Sequence, residues 1–110
     1  MALVKFTATQ RHVELNPVSG AAAWGGVNID SVAIVWFGTT SLTKRLLVYF
    51  LRPGSPDPGP QFNASVNTGA LFRPVGELST WADLVYSGRA VYVRLESAGM
   101  HDHRVSTYNW

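Results

Sequence analysis

Two imidazoles and a carboxylate stand together at His101, Asp102 and His103. Such side chains ligate metal ions and also transfer protons near neutral pH. In an extended segment the two histidines lie at positions i and i+2 and can share one metal. A closed site needs three or four protein ligands, and the remaining histidine, His12, lies near the other end of the chain. We therefore interpret the triplet as a polar turn and predict no metal site.

Signatures of catalysis are missing from the sequence. No serine lies in a Gly-x-Ser-x-Gly elbow and there is no cysteine, so a nucleophilic centre has no visible candidate. The seven acidic residues offer no close pair on one strand face. The glycine pair at Gly25 and Gly26 lacks both the lysine of a P-loop and the spacing of a dinucleotide fingerprint. We predict a protein that is not an enzyme and that uses no cofactor.

Aromatic residues give the better indication of function. The five Phe, four Tyr and four Trp can serve as core, as subunit interface or as stacking platforms for sugars and bases. Amide groups are also abundant, whereas the net charge is a modest +2. This combination favours a glycan or another small polar ligand. The predicted ligand-binding residues are Trp24, Asn28, Trp36, Arg45 and Tyr49.

Two other function classes stay open. Seven arginines against two lysines are suited to stacking and to bidentate bonds with phosphate, so single-stranded nucleic acid is a possible partner. Trp36, Tyr49 and the arginines of the central strands would bind it. However, acidic residues are interspersed among the arginines, which weakens the hypothesis that the protein binds nucleic acid. The other class is a small barrel enzyme with an aromatic-lined pocket, in which His12, His101 or an aspartate carries the proton.

Bulk composition limits the fold class and the compartment. A chain of 110 residues fits a single β domain over 1–110, and 46% hydrophobic with 15% charged residues argues against disorder. No signal peptide is visible at the amino terminus, and no apolar run approaches the roughly 20 residues of a membrane-spanning helix. We therefore expect a soluble protein without a membrane span, cytoplasmic by default.

The stretch Val27 to Arg52 organises the predicted fold. Two runs of β-branched, aromatic and aliphatic residues flank the polar segment Gly38 to Lys44, a pattern typical of a hairpin with a long loop. Both faces of this hairpin are apolar. In the first run Val32, Ile34 and Trp36 are expected on one face and Ala33, Val35 and Phe37 on the other. In the second run Leu46, Val48 and Phe50 are expected on one face and Leu47, Tyr49 and Leu51 on the other. A short chain has little else to cover both faces, so we expect another subunit or a ligand to bury Trp36 or Tyr49, or their neighbours on the same face, and predict a homo-oligomer.

The rest of the chain supplies shorter elements. A first strand is expected over Leu3 to Leu15, broken or bulged near Gln10 and Arg11, and the glycine-rich Val18 to Gly26 is expected to be a loop. The single helix is predicted within Glu77 to Ser87, with Ser79 or Thr80 as N-cap and an apolar face on the sheet. The remaining predictions are an irregular Pro53 to Pro60, short strands within Phe62 to Phe72 around a turn at Asn67 to Gly69, and strands over Arg89 to Glu96 and His103 to Trp110.

This order of elements resembles the OB-fold, a five-stranded barrel with a helix between its third and fourth strands. The resemblance implies a mainly β protein, a small antiparallel barrel of about five to six strands with one short helix near residues 79–87. The alternative is a β-sandwich or jelly roll. In that case Phe62 to Phe72 contributes full strands and the helix shrinks to one turn.

Overall fold

The computed structural model describes residues 3–15, 23–24, 27–96 and 103–107, with the backbone alone at positions 3, 23, 24, 27 and 28. The described residues are mainly β, as predicted, with one short α-helix, α1 (Leu78–Val85). Short 3-10 turns lie at Ala64–Val66 and Val75–Glu77. The strands are β1 (Leu3–Thr7), β2 (Gln10–Leu15), β3 (Ala23–Trp24), β4 (Val27–Asn28), β5 (Ser31–Gly38), β6 (Arg45–Leu51), β7 (Gln61–Asn63), β8 (Thr68–Pro74), β9 (Tyr92–Glu96) and β10 (Arg104–Ser106).

The strands form two main sheets. One sheet has the order β2-β5-β6-β8-β7, the other has the order β1-β9-β10, and β3 pairs with β4. All of these pairs are antiparallel except β6 with β8. Among the described strands neither sheet closes into a barrel, so the predicted OB-like barrel is not confirmed. No helix in the described part of the chain has the length and apolar character needed to cross a membrane.

The predicted central hairpin is confirmed. β5 and β6 pair antiparallel, with Val35 opposite Val48, and the loop between them is closed by a hydrogen bond from Thr39 N to Lys44 O at 3.1 Å. The register of the β5–β6 pair shifts between Ser31 and Ala33, which changes the face on which side chains lie at the start of β5. As a result Val32 packs with the inner core and not beside Ile34 and Trp36, which corrects its predicted face.

The predicted first strand is two strands in two different sheets. β1 pairs with β9 and β2 pairs with β5, and the chain bends between them at Ala8 and Thr9. Ala8 is buried, and its N–H donates to Val91 O at 2.8 Å, which extends the β1 pairing by one residue. Because this bend joins β1 to β2, the two sheets share one series of neighbouring strands. In space their order is β10, β9, β1 continued by β2, β5, β6, β8 and β7.

The segment after Pro60 contains a long strand that the OB-like order does not predict. β8 runs from Thr68 to Pro74 and pairs in parallel with β6 along its whole length. The turn predicted at Asn67 to Gly69 lies earlier in the chain. A 3-10 turn spans Ala64–Val66 and ends at Asn67 in the left-handed conformation with φ 46°, whereas Thr68 and Gly69 already belong to β8. In having this long strand the structure follows the sandwich alternative, whereas the eight-residue helix is longer than that alternative expects.

The inner core lies between the two sheets and under α1. Val85 is buried there, and Trp81 and Leu84 pack against the cluster, so the predicted apolar face of the helix is confirmed. The predicted cap is wrong. The helix begins at Leu78 after the 3-10 turn, its N-cap is Glu77 without a side-chain cap bond, and Ser79 and Thr80 lie inside it. The buried members of the inner core are Phe6, Ala8, Ala33, Val35, Phe37, Leu46, Val48, Phe50, Val85, Val91, Val93 and Leu95.

A second apolar cluster lies on the other face of the five-stranded sheet, and we call it the outer cluster. Its buried members are Ile29, Ile34, Leu47, Tyr49, Leu51, Ala70 and Phe72, with Trp36 partly buried beside them. Both faces of the central hairpin are therefore apolar, as the sequence predicts, and both are packed within the chain. The single chain itself buries most of the outer cluster, each buried member retaining 8% or less of its accessible surface.

Candidate ligand-binding site

Three of the predicted ligand-binding residues lie on one face of the five-stranded sheet. Trp36 is opposite Leu47 on the neighbouring strand, and its diagonal neighbours there are Arg45 and Tyr49. The other two predicted residues are Trp24 and Asn28. The structure describes only their backbone, in the short β3–β4 pair, so their side chains lie outside the described part of the chain.

Tyr49 packs within the outer cluster. It retains 4% of its accessible surface, and its ring stacks on Phe72 with centroids 5.3 Å apart and planes 16° apart. A ligand would reach this ring only by displacing neighbouring side chains. The position therefore favours a packing role for Tyr49 over stacking with a sugar or a base.

Trp36 is half-buried and covered on one side by His12. The two rings stack with centroids 5.3 Å apart and planes 17° apart. Nε1 of Trp36 is buried and has no hydrogen-bond partner among the described residues. Arg45 is tied to the adjacent strand, since its Nε donates to Thr68 Oγ1 at 3.3 Å. This part of the sheet is thus an ordered surface, but most of its aromatic area already has a protein partner.

His103 has both ring nitrogens in use. It is buried, its Nδ1 accepts the Glu96 N–H at 3.1 Å, and its Nε2 lies 2.8 Å from the carbonyl oxygen of Gln61. His101 and Asp102 lie outside the described residues. Within the described ranges, no group of three or more His, Cys, Asp or Glu side chains is placed to hold a metal ion.

A groove of about 580 Å³ lies between α1 and β10, and we call it the Trp81 groove. Its apolar lining comes from Trp81, Leu84 and Val105, and its polar lining from Glu77, Thr80, Asp83, Ser87, Arg89 and Thr107. The sequence pattern assigns Trp81 to the core and does not indicate this groove. The available signal is that polar residues, Thr80 and Asp83, flank a helical tryptophan at the edge of its apolar face.

Packing and charge hold the Trp81 ring in place. Its centroid is 6.1 Å from that of Phe37 and 6.5 Å from that of Phe50, both in the inner core. Its Nε1 lies 3.5 Å from Glu77 Oε1. Arg73 donates two hydrogen bonds to the same carboxylate, which lowers the pKa of Glu77. The ring is therefore fixed with one edge in the core and the remainder facing the groove.

A second cavity, of about 370 Å³, lies where the parallel strands β6 and β8 end. Arg52 and Arg73 line it, but each is already paired. Arg52 Nε contacts Asp30 Oδ1 at 2.9 Å, and Arg73 pairs with Glu77. Because both positive charges already have protein partners, this cavity is a weaker candidate for ligand binding than the Trp81 groove.

Comparisons with known proteins identify no relative. No protein-family model, no curated protein and no solved structure matches this chain. Function must therefore be inferred from the side chains of the chain itself.

Proposed function

We propose that the protein is a non-catalytic binding domain that holds a small polar ligand, most simply one sugar residue of a glycan, in the Trp81 groove. The proposal rests on one observation: the fixed indole of Trp81 lies beside the polar side chains that line the same groove. The groove volume of about 580 Å³ falls within the roughly 300–1,000 Å³ typical of small-molecule sites.

The lining suits the two sides of a sugar ring. A pyranose has an apolar face of C–H groups that packs on an aromatic ring, and hydroxyls that bond to polar side chains. Trp81 offers the aromatic surface. Asp83 and Arg89 make no ion pair within the described residues, so both charged groups remain available to ligand hydroxyls.

The lowered pKa of Glu77 argues against a role for this residue as a general acid. A general acid at neutral pH needs a raised pKa, whereas the hydrogen bonds from Arg73 lower the pKa of Glu77. A carboxylate held ionised in this way serves to orient Trp81. It does not supply a proton.

Rim variants test the proposal without touching the core. A panel of monosaccharides and their short oligomers is titrated into the protein, with binding followed by amide chemical shifts in NMR spectra. Asp83→Ala and Thr80→Ala should each weaken binding about tenfold, because each removes one polar contact worth about 1.4 kcal/mol. Asp57→Ala, which removes an exposed carboxylate outside the groove, is the matched control. Shifts that do not map to α1 and β10, or rim variants that bind like the control, would overturn the assignment.

Single-stranded nucleic acid is the second candidate. The stacked pair His12 and Trp36, with Arg45 as diagonal neighbour, is the feature that favours it. Titration with an oligo-dT at rising salt separates the two functions. Nucleic-acid affinity falls steeply with salt, whereas sugar affinity does not.

The predicted homo-oligomer needs a surface other than the outer cluster. The prediction rested on a lack of cover for that face, and the single chain already buries most of it. Self-association through Trp36 and Tyr49 would therefore gain little further apolar burial.

A further inference from the structure

β2 lies at the end of the five-stranded sheet. It pairs with β5 along one edge, and in the described ranges no strand pairs with its other edge. β2 has six residues, against three for β7 at the opposite end of the same sheet. The end strands of the other sheet, β1 and β10, have five and three residues. A long unpaired edge presents N–H and C=O groups that can continue the ladder.

We propose that β2 pairs antiparallel with β2 of a second copy of this chain, around a two-fold axis that passes beside Val13. The two five-stranded sheets then form one continuous sheet. This inference does not depend on the ligand proposed for the Trp81 groove.

The charges of β2 select this register. In a symmetric antiparallel pair the axis passes at one residue, which faces its own copy. An axis at Arg11 or at Glu14 sets like charges against each other, and an axis at His12 sets two imidazoles together and pairs neither of them with a carboxylate. An axis at Val13 sets Val13 against Val13. It also places His12 opposite Glu14 of the second copy, twice by symmetry.

The same register covers an exposed apolar side chain. Arg11, Val13 and Leu15 lie on the inner face of β2, opposite Phe37, Val35 and Ala33 of β5. Leu15 is 65% exposed in the single chain. In the pair it lies opposite Arg11 of the second copy, whose aliphatic stem can cover it.

Strand pairing of this length makes a small interface. It lies below the roughly 1,000 Å² expected of a stable complex, so the dimer should be weak and concentration-dependent. Sedimentation velocity from about 10 µM to about 1 mM covers the corresponding range of dissociation constants. The expected result is a rise from the 12.0 kDa monomer toward the dimer.

Cysteine cross-linking tests the axis directly, because the chain has no cysteine of its own. Residues directly opposite in an antiparallel pair have Cα atoms about 4.5–5.5 Å apart, within the range of a disulfide. Val13→Cys should therefore give a covalent dimer when oxidised glutathione accepts the two electrons. Asp83→Cys, on the exposed side of α1, is the control. Equal dimer yields for the two variants would overturn the proposal.

Charge reversal provides the second test. Glu14→Lys should weaken the dimer about tenfold or more, since two cross-strand pairs are lost by symmetry. Adding His12→Glu to Glu14→Lys places opposite charges across the axis and should recover the dimer. Both positions are exposed. Glu14→Lys removes no buried packing, whereas His12→Glu removes the ring that stacks on Trp36. A double variant as weak as Glu14→Lys, or a wild-type chain that stays monomeric to about 1 mM, would contradict the pairing. A dimer unaffected by Glu14→Lys would contradict it as well.

Discussion

The imidazole of His103 is hydrogen-bonded to the main chain of Gln61, with Nε2 2.8 Å from the carbonyl oxygen. Its Nδ1 accepts the N–H of Glu96 at 3.1 Å, so in the neutral ring the proton lies on Nε2 and is donated to Gln61. His103 immediately precedes β10 and Gln61 begins β7, the two ends of the strand order. The His103 side chain therefore connects the start of β10 to the start of β7. In a closed barrel these two strands would be joined by backbone hydrogen bonds.

Replacing His103 should destabilise the fold strongly. His103→Ala leaves the Glu96 N–H without its acceptor and opens a cavity, so we expect a loss of about 3 kcal/mol in the free energy of unfolding. Urea denaturation followed by circular dichroism measures it. His12→Ala is the control, because His12 is exposed, and should cost less than about 1 kcal/mol. Similar losses for the two variants would mean that the His103 bridge does not contribute.

Gly69 makes room for His103. A Cβ built on Gly69 would lie 2.9 Å from His103 Nε2 and 2.9 Å from Leu95 Cδ2. Gly69→Ala should therefore cost about 1–3 kcal/mol through overpacking. Combined with His103→Ala it should cost about 1 kcal/mol less than the sum of the two single losses, since one of the two clashes is gone.

The matched control for this variant is Gly76→Ala. A Cβ at Gly76 meets no atom within 4 Å, and its φ is not in the left-handed region. We expect no loss, or a gain of up to about 1 kcal/mol from a less flexible unfolded chain. If alanine at Gly69 were as harmless as alanine at Gly76, the close approach to His103 would be wrong.

Trp36→Phe should change stability by less than about 1 kcal/mol. The indole N–H is buried without a partner among the described residues, a condition that costs about 1–3 kcal/mol, and its removal offsets the lost packing. Trp81→Phe is the comparison. It loses the contact with Glu77 and packing on Phe37 and Phe50, so it should cost more. The reverse ranking in urea melts would show that the Trp36 N–H has a partner in solution.

Glu77 should give a small pH dependence of stability. Hydrogen bonds from Arg73 lower the folded-state pKa of Glu77 below its unfolded value. The contribution is therefore fully present above the ordinary glutamate pKa of about 4.3 and is lost as the pH falls through the lower folded value. Both side chains are more than a third exposed, so solvent screening keeps it below about 1 kcal/mol.

Urea midpoints at neutral and acidic pH measure this effect. Glu77→Gln should reduce the stability difference between the two, and Thr80→Ala, which removes no titrating group, should not. Added salt at about 1 M should shrink the effect in the wild-type chain. A Glu77→Gln variant with the full wild-type pH dependence would exclude the Arg73–Glu77 pair as its source.

Local patterns in the sequence predict several elements well. Alternating apolar runs predict the hairpin β5–β6 and the strand β9, because side chains on successive strand residues point to opposite faces. Proline density predicts the irregular segment from Pro53 to Pro60. The apolar spacing of Trp81, Leu84 and Val85 predicts the packed face of the helix, although not its first residue.

Long-range pairing is what the sequence does not predict. β8 pairs in parallel with β6 across an intervening excursion, and nothing in the sequence of either strand specifies that partner. The bend at Ala8 likewise assigns β1 and β2 to different sheets, a choice made by what packs around them. The predicted site was incomplete for the same reason. Trp81 lines a groove only because β10 lies beside α1.

The sequence alone therefore determines the mainly β class, the central hairpin and its two apolar faces, because these depend on residues close together in the chain. The tertiary structure decides what covers each face. It places the inner core under α1 and the second sheet, and it buries Tyr49 while leaving part of Trp81 beside the groove. Residues distant in sequence determine whether Tyr49 or Trp81 remains accessible. Local sequence patterns do not specify those distant neighbours.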